Sequence, residues 1–401
     1  MDKKVVAVLF GGVAVEHDVS ILTGLQIIEA MDTTKYVAIP IYIDQQGKWW
    51  SGKELLDRKN YHFSRKTKNK LQQLELSVGY VFNERPFFNI KSKNILLGNK
   101  KIYFDIALLA FHGDFGEDGH IQGIFENAKI PYTGTRLLAS AVYMNKIVAK
   151  KLFKSIGIPV LPDIILKKPT NINILDINKI TKDLEISFPV CAKPCNLGSS
   201  VGVYKVENQQ ELHTAILNIF KIDKEIIIEP FVENLVEYDV SVTKALNEET
   251  TLSAIEKPIR DSSLLNFNDK YLSQGGIETK LSMSITEGMA SATRVLHPED
   301  LSKKQEQIII DSATKAFEIV GGCGAPRLDF LCNEKTKEIW LNEINPLPGA
   351  LAYYLWEART PKINFTKLVD ALIKEGFLEH KKAYKTFSLH DIQSSIFPVR
   401  N

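Results

Sequence analysis

The sequence is poor in cysteine and has no CxxC pair. Only 4 cysteines occur among 401 residues, at Cys191, Cys195, Cys323 and Cys332. So few thiols in so long a chain do not predict a disulfide framework, and their spacing disfavours a structural zinc site. The cysteines therefore give no sign of an oxidising compartment.

Long apolar runs are absent as well. No stretch is long enough to span a bilayer, and Met1 to Lys4 lead into a short strand, not into a signal-peptide core. The formal net charge is +2 with both signs interspersed, so no strong field favours nucleic acid or a membrane surface. With 44% hydrophobic residues, the chain can bury the cores of two or three domains. We therefore predict a cytoplasmic globular protein that binds neither nucleic acid nor membranes.

Changes in pattern along the chain predict three domains, at residues 1–135, 136–228 and 229–401. The first has the strand–turn–helix order of a doubly wound, parallel α/β unit. Its predicted strands run from Val5 to Phe10, from Tyr36 to Ile43 and from Ile102 to Ala110, and Asp18 is the predicted N-cap of its first helix. The predicted elements of the other two domains are helices over 136–143, 146–155 and 363–374, a strand over 188–193, and a hairpin over 327–345. From about residue 375 the chain is predicted to be a polar, mobile tail.

The predicted hairpin brings acidic and amide side chains together. Alternation places Arg327 and Asp329 on one face of its first strand, and Glu343 and Asn345 on one face of its second. Two carboxylates and an amide oxygen around one point suit Mg²⁺ shared with nucleotide phosphates. The alternative is a solvated sheet face with charges paired across the strands.

A glycine- and serine-rich loop follows the strand that ends at Lys193. Gly198, Ser199, Ser200 and Gly202 can bring backbone N–H groups and hydroxyls onto phosphate oxygens, while the lysine supplies a point charge. The GxxxxGK[ST] and GxGxxG patterns are both absent, so an ordinary hairpin turn is the favoured interpretation of this loop when it is taken alone.

Two further features are ambiguous when taken alone. The apolar strand that contains Glu229, with Val232 and Glu237 beyond it, suits an adenine and ribose slot but also suits a core strand with an edge acid. Lys146 stands at a predicted helix start, where a lysine is usually solvated.

A resemblance emerges when the segments are read in order. The segments that carry it extend from Val5 to about Trp356 and are Phe10-Gly11-Gly12, Glu16 to Ser20, His112 to Gly123, Ile130 to Gly134, Met144-Asn145-Lys146, Lys193 to Gly202, Asp269 to Ser273 and Asn342 to Asn345. On these motifs the chain resembles the ATP-grasp superfamily, and within it the D-alanine–D-alanine ligase family. The resemblance implies an α/β protein, α+β in its ATP-binding part, with an ATP-grasp fold behind an N-terminal doubly wound domain.

The resemblance also implies the residues that bind nucleotide and metal. Those that would contact ATP are Lys146, Lys193, Gly198, Ser199, Ser200, Glu229, Val232 and Glu237. Those that would hold two Mg²⁺ ions, for which Mn²⁺ can substitute, are Asp329, Glu343 and Asn345.

Further residues are implied for the amino-acid substrates. Glu16 would bind the first ammonium group and would join Ser199 and Tyr271 in a hydrogen-bonded group. His112 would lie near the second amino acid, whose carboxylate Lys270 would bind. Arg327 and the backbone N–H of Gly349 would stabilise an oxyanion. The segment from Asp261 to Glu278 would form a lid that excludes water.

By resemblance, the chain is expected to be a homodimeric ATP-dependent ligase. It would join two D-alanines through an acyl phosphate for peptidoglycan synthesis in the cell wall. Two departures from the family pattern leave the acceptor open: Tyr354 stands where a serine is expected, and Asn145 replaces an acid. The alternatives are an ATP-grasp ligase with another acceptor such as D-serine, a carboxylate kinase without an amine step, and a nucleotide-binding protein without catalysis.

Overall fold

The structure is a computed structural model, and it describes residues 2–62, 65–79, 84–91, 100–171, 187–198, 201–259 and 294–385. Over these ranges, no helix is long and apolar enough to cross a membrane. The helices they contain are α1 His17–Ala30, α2 Arg65–Lys68, α3 His120–Asn127, α4 Leu137–Met144, α5 Lys146–Ser155, α6 Gln209–Ile219, α7 Lys303–Glu318, α8 Tyr353–Ala358 and α9 Phe365–Lys385.

The N-terminal sheet has a parallel centre and an antiparallel extension. Its strands are β1 Lys4–Gly11, β2 Tyr36–Ile43, β3 Trp49–Ser51, β4 Gln72–Leu76, β5 Phe87–Ile90, β6 Lys101–Tyr103 and β7 Ile106–Leu109. They lie in the order β6-β5-β4-β3-β2-β1-β7. β1 pairs in parallel with β2 and with β7, and the other pairs are antiparallel. Apolar side chains of α1 and α9 cover one face and those of α3 cover the other, as in a doubly wound unit.

Two sequence-based predictions fail in this sheet. The predicted strand from Ile102 to Ala110 is two strands at opposite edges, because the chain turns at Asp105, whose carboxylate accepts the Val5 N–H at 2.7 Å. Asp18 is not the N-cap of α1: Glu16 holds that position, and Asp18 lies in the first turn. Glu16 makes no side-chain cap, because its carboxylate lies elsewhere, against Gly113 and Gly198.

The second sheet is small and antiparallel. Its strands are β8 Ile164–Lys167, β9 Val190–Pro194, β10 Tyr204–Val206 and β11 Glu225–Pro230, in the order β10-β9-β11-β8. Ile226 and Ile228 of β11 pack against Leu212 and Ile216 of α6, so one face is a sealed apolar core. The opposite face of this sheet is therefore available to polar side chains, among them Lys193.

The third sheet carries the predicted hairpin. Its strands are β12 Leu235–Thr243, β13 Thr251–Leu252, β14 Glu256–Pro258, β15 Arg294–Leu296, β16 Arg327–Asn333 and β17 Ile339–Asn345. The order is β15-β14-β12-β16-β17, with β13 paired to β12. Leu328, Phe330, Leu341 and Ile344 pack against α4, α5 and α7. The prediction of an antiparallel hairpin with one buried face is confirmed. The division of the chain into three domains stays a prediction.

The prediction of a polar, mobile tail from residue 375 is wrong as far as Lys385, because α9 continues to that residue. Glu375 is buried in α9 and accepts the Gly324 N–H at 2.8 Å. Burial raises the pKa of the Glu375 carboxyl to about 7. Residues 386–401 lie outside the described part of the chain.

Glu375 makes the stability of the protein depend on pH. The folded chain keeps the proton up to about pH 7, whereas the unfolded chain loses it near its ordinary pKa of 4.5. The stabilisation is therefore complete below about pH 4.5 and is lost as pH rises to 7. We expect the free energy of unfolding to fall by up to about 1.4 kcal/mol per pH unit in this window.

Urea unfolding at several pH values between 5 and 7 measures this slope. Glu375→Gln should flatten it, whereas the more exposed Glu379→Gln on the same helix should not. Parallel slopes for the wild type and Glu375→Gln would contradict the assignment.

Candidate active site

The hairpin strands place four polar residues in two cross-strand pairs. Asp329 lies opposite Glu343, and Arg327 lies opposite Asn345. The Nε and Nη2 atoms of Arg327 donate to the two oxygens of Asp329 at 2.7 and 2.8 Å, and Asn345 Nδ2 donates to Asp329 Oδ2 at 3.0 Å. The sequence-based prediction that these side chains share one face is confirmed.

The acids of the hairpin continue as a row across the sheet. Asp239 on β12 lies opposite Asp329, and Glu256 on β14 lies opposite Asp239. Arg327 sits within this row, with its Nε 3.6 Å from Asp239 Oδ2. Burial lowers the pKa of Arg327, but the charges of Asp329 and Asp239 outweigh it and hold the pKa well above its ordinary value. Sequence reasoning missed Asp239, although polar and apolar residues alternate along β12 from Val236 to Thr243 and this period of two could have placed it on the site face. It also missed Glu256, which stands in a strand of only three residues.

The donor set of the hairpin fits a hard divalent cation. In the part of the chain that the structure describes, no group of three or more His, Cys, Asp and Glu side chains can hold a metal ion by itself. Asp329, Glu343 and Asn345 supply hard oxygen ligands. Each of the two acids also forms an ion pair with a basic side chain: Asp329 with Arg327, and Glu343 with Lys146, whose Nζ lies 3.2 Å from Glu343 Oε2. Such a partial set suits Mg²⁺ that completes its shell with phosphate oxygens and water.

Two further lysines converge on Glu229. Lys193 Nζ lies 2.6 Å from Glu229 Oε2, and Lys150 Nζ contacts Glu229 Oε1. Burial opposes the charge of each group, but the mutual attraction is larger: the pKa of Lys193 is raised and that of Glu229 is lowered. Lys150 was missed, although it follows Lys146 at the four-residue spacing that puts two side chains on one helix face.

A β-bulge explains how Lys193 reaches the hairpin. The register shifts between Asp329 and Phe330, which leaves Asn342 as the extra residue of β17. Lys193 Nζ donates to Asn342 Oδ1 at 2.9 Å. Strict alternation would turn Asn342 away from the face of Glu343, so sequence reasoning gave it no role of its own.

Lys146 joins the helix start, the hairpin and the glycine-rich loop. Asn145 is the N-cap of α5, since its Oδ1 accepts the Val148 N–H at 2.9 Å. The Lys146 ammonium group donates to the Leu197 carbonyl at 2.7 Å, directly before Gly198. Asn145 therefore has a structural role that an amide fills well.

The N-terminal domain adds Glu16 and His112 to the same region. A Cβ placed on Gly113 would clash with Glu16 Oε2, and one on Gly198 would lie 3.3 Å from Glu16 Oε1. The carboxylate of Glu16 thus lies between a loop of the first domain and the start of the glycine-rich loop. Burial lowers the pKa of His112 to about 4, so its imidazole is neutral at physiological pH.

The other predicted site residues lie on β12, next to β11, in the turn before α8, or outside the described residues. Val232 is buried just after β11, and Glu237 is half-buried on β12. Gly349 opens the short turn Gly349–Ala352 that leads into α8. The residues outside the described ranges are Ser199, Ser200, Lys270, Tyr271 and the predicted lid, Asp261 to Glu278.

Tyr354 contacts Glu256, which lies at the end of the row of acids. The Tyr354 hydroxyl donates to Glu256 Oε1 at 2.8 Å, and Arg294 Nη1 donates to Glu256 Oε2 at 2.8 Å. The Arg294 guanidinium also lies 3.7 Å from the centre of the Tyr354 ring. Because the Tyr354 hydroxyl donates its hydrogen bond to Glu256, Tyr354 does not replace a serine as a simple donor to a substrate.

Comparisons with known proteins agree with this arrangement. Residues 5–135 match the family model described as D-ala D-ala ligase N-terminus, and residues 152–374 match the one described as D-ala D-ala ligase C-terminus. The chain is 33% identical over 399 residues to the D-alanine–D-alanine ligase of Thermosipho africanus, an alignment that covers 98% of each protein.

Solved structures extend the likeness to the fold. The D-alanine-D-alanine ligase from Coxiella burnetii has a TM-score of 0.75 at 24% identity, covering 98% of this chain and 99% of that one. The VanG D-Ala:D-Ser ligase from Enterococcus faecalis has a TM-score of 0.71 at 25% identity, covering 94% of this chain and 100% of that one. These likenesses confirm the predicted α/β class and ATP-grasp fold. The chain belongs to the D-alanine–D-alanine ligase family.

Proposed function

We propose that this protein uses ATP to join two D-alanine molecules into D-alanyl-D-alanine for peptidoglycan precursor synthesis. One observation carries the proposal: the lysines of two different elements meet the polar hairpin at a single place. Lys146 pairs with Glu343, and Lys193 bonds to Asn342 beside it. A nucleotide whose phosphates lay between these groups would be gripped by both lysines.

The first chemical step must make a carboxylate reactive. A carboxylate is anionic and has no good leaving group, so phosphoryl transfer to it requires that negative charge on both partners be neutralised. Lys146 and Lys193 would do this at the phosphates. Asp329, Glu343 and Asn345 would hold Mg²⁺, which would add charge neutralisation there when bound. Glu16 would fix the first D-alanine by its ammonium group.

The second step is attack of the second D-alanine's amine on the acyl phosphate. The carbonyl oxygen becomes negatively charged, and donors fixed in advance lower the barrier most effectively. Arg327 and the backbone N–H of Gly349 would serve as these donors. In the second subsite, His112 would lie beside the amino acid and Lys270 would bind its carboxylate. Tyr271 and Ser199 would complete the group around Glu16. Phosphate leaves as the amide bond forms.

The proposal also covers cofactors, assembly and location. The nucleotide contacts would come from the Gly198–Gly202 loop with Ser200, and from Glu229, Val232 and Glu237. The family resemblance supports a homodimer that acts on small molecules, and dependence on ATP supports a cytoplasmic location.

An amino-acid panel tests the proposed function. Purified protein with ATP and Mg²⁺ is given D- and L-alanine, D-serine and other small amino acids, singly and in pairs. ADP release and dipeptide mass are then measured. We expect D-alanine alone to give D-alanyl-D-alanine. Absence of dipeptide from D-alanine alone would contradict the proposal.

The same panel decides the second candidate, D-serine as acceptor. Tyr354 favours keeping this candidate, since it stands where the family pattern has a serine and its hydroxyl already donates to Glu256, so that the second subsite would lack the serine donor. A mixed D-alanyl-D-serine product that exceeds D-alanyl-D-alanine when both amino acids are supplied at equal concentration would select it.

A further inference from the structure

A short segment follows the hairpin, and two side chains from the N-terminal part of the chain bind it near its start and at its end. This segment, residues 346–350, begins directly after Asn345 and includes the first two residues of the turn Gly349–Ala352. The Leu347 N–H donates to Glu117 Oε1 at 2.9 Å, and the Ala350 N–H donates to Thr23 Oγ1 at 3.1 Å. Both acceptors are buried and distant in sequence. Gly349 lies between the two anchored N–H groups.

The backbone beyond Gly349 has a conformation that needs such support. Ala350, Leu351 and Ala352 have φ values of 47°, 55° and 48°. The left-handed region is unfavourable for residues with a Cβ, and it persists only where the surroundings impose it. The Thr23 contact to Ala350 acts at the first of these residues.

Glu117 connects this segment to the substrate side of the site. Its second oxygen accepts the Gly113 N–H at 2.7 Å, and Gly113 lies against the Glu16 carboxylate. Thr23 makes a parallel connection, because its hydroxyl also lies 2.8 Å from His112 Nε2. One buried carboxyl and one buried hydroxyl therefore each tie the His112–Gly113 loop to residues 346–350.

Glu117 is a carboxyl group whose charged form is disfavoured by burial. Burial raises the pKa of the Glu117 carboxyl to about 8, although the two N–H donors lower it. A carboxyl group that is costly to bury, and whose two oxygens each accept a backbone N–H, acts as a fixed bracket between two loops.

We propose that Glu117 and Thr23 are positioning residues that set the Gly349 N–H relative to Glu16 and Arg327, and so govern amine attack more strongly than phosphoryl transfer. The inference rests on the proposed function. Phosphoryl transfer uses the lysines and the hairpin acids, which Glu117 and Thr23 do not contact in the structure. Amine attack needs the oxyanion donor at Gly349, whose flanking residues they hold.

Single-turnover rapid-quench experiments with limiting ATP separate the two steps. ADP formation and dipeptide formation are followed in the full-length wild type and in Glu117→Gln, Thr23→Val and Thr23→Ser. Glutamine keeps the shape of glutamate but leaves one N–H facing an NH₂ group. Valine removes the hydroxyl of threonine, and serine retains it.

We expect the rate constant for dipeptide formation to fall at least about tenfold in Glu117→Gln and in Thr23→Val, about what a transition-state energy loss of 1.4 kcal/mol produces. ADP formation should change less than about threefold, and Thr23→Ser should behave as the wild type. Two variants at opposite ends of the segment keep the test decisive where one of them fails to fold.

Three outcomes would overturn the positioning role. These are parallel loss of both rate constants in the variants, no change in either, and a larger loss in ADP formation than in dipeptide formation. Each of these three outcomes bears on the positioning role only if the wild type forms dipeptide from D-alanine. A wild type that makes ADP but no dipeptide from D-alanine would instead overturn the proposed function, and the inference with it.

Discussion

Replacing Arg327 with alanine is expected to lower the rate of dipeptide formation by at least about a hundredfold, as loss of one oxyanion donor does in other enzymes. Arg327 is the side-chain donor that we assign to the negatively charged carbonyl oxygen. It also separates Asp329 from Asp239, so its loss leaves two carboxylates without the cation between them. Steady-state dipeptide formation measures the effect.

ATP binding distinguishes this role from a general defect of the site. Arg327 is not among the groups assigned to the nucleotide, so the affinity of Arg327→Ala for a non-hydrolysable ATP analogue should stay within a few-fold of the wild type. Arg327→Lys is the matched control, because it keeps the charge but loses the planar fork that bonds both oxygens of Asp329. An alanine variant with wild-type turnover would remove Arg327 from the mechanism.

The parts of the site that the sequence predicted well are those with a strong local pattern. In β16, polar and apolar residues alternate from Arg327 to Phe330, and in β17 they alternate from Glu343 to Asn345, so the buried face and the site face at this end of the hairpin follow from period two. The predicted helix over 146–155 is confirmed as α5, and the structure adds Asn145 as its N-cap. Local rules were sufficient at the end of the hairpin that carries the site, where the chain obeys them.

The missed residues depend on contacts between distant parts of the chain. Glu117 and Thr23 reach backbone groups that are 230 and 327 positions away, and no short-range pattern encodes such pairs. Asn342 was missed because a bulge breaks the alternation of β17. The helical residues after Glu375 were predicted as a tail because their exposed face is rich in charge, while their apolar positions are few.

The contacts of Tyr354 could not be predicted from the family resemblance alone. The resemblance identifies Tyr354 as a replacement for serine, and a tyrosine hydroxyl could serve as a donor in the same way. In the structure, that hydroxyl is bonded to Glu256 and the ring is covered by Arg294. The surroundings of Tyr354 therefore differ from the family pattern in charge as well as in shape, and the amino-acid panel decides which acceptor this position allows.

Glu343→Gln is expected to remove most of the magnesium-dependent activity. The change keeps the shape of the side chain but removes a charge that would face Mg²⁺ and that now pairs with Lys146. A bound metal ion supplies several kcal/mol of charge stabilisation in phosphoryl transfer, so we expect the turnover rate to fall at least about a hundredfold. The Mg²⁺ concentration that gives half-maximal activity should rise as well.

Metal binding can be measured apart from activity. Mn²⁺ binding in the presence of a non-hydrolysable ATP analogue, followed by electron paramagnetic resonance, should weaken in Glu343→Gln. Glu338→Gln is the matched control, because Glu338 is exposed on the same hairpin and bonds only to the nearby Thr336 hydroxyl among its described contacts. Unchanged Mn²⁺ affinity in Glu343→Gln would take Glu343 out of the metal site, and would leave the Lys146–Glu343 pair as a structural contact between α5 and the hairpin.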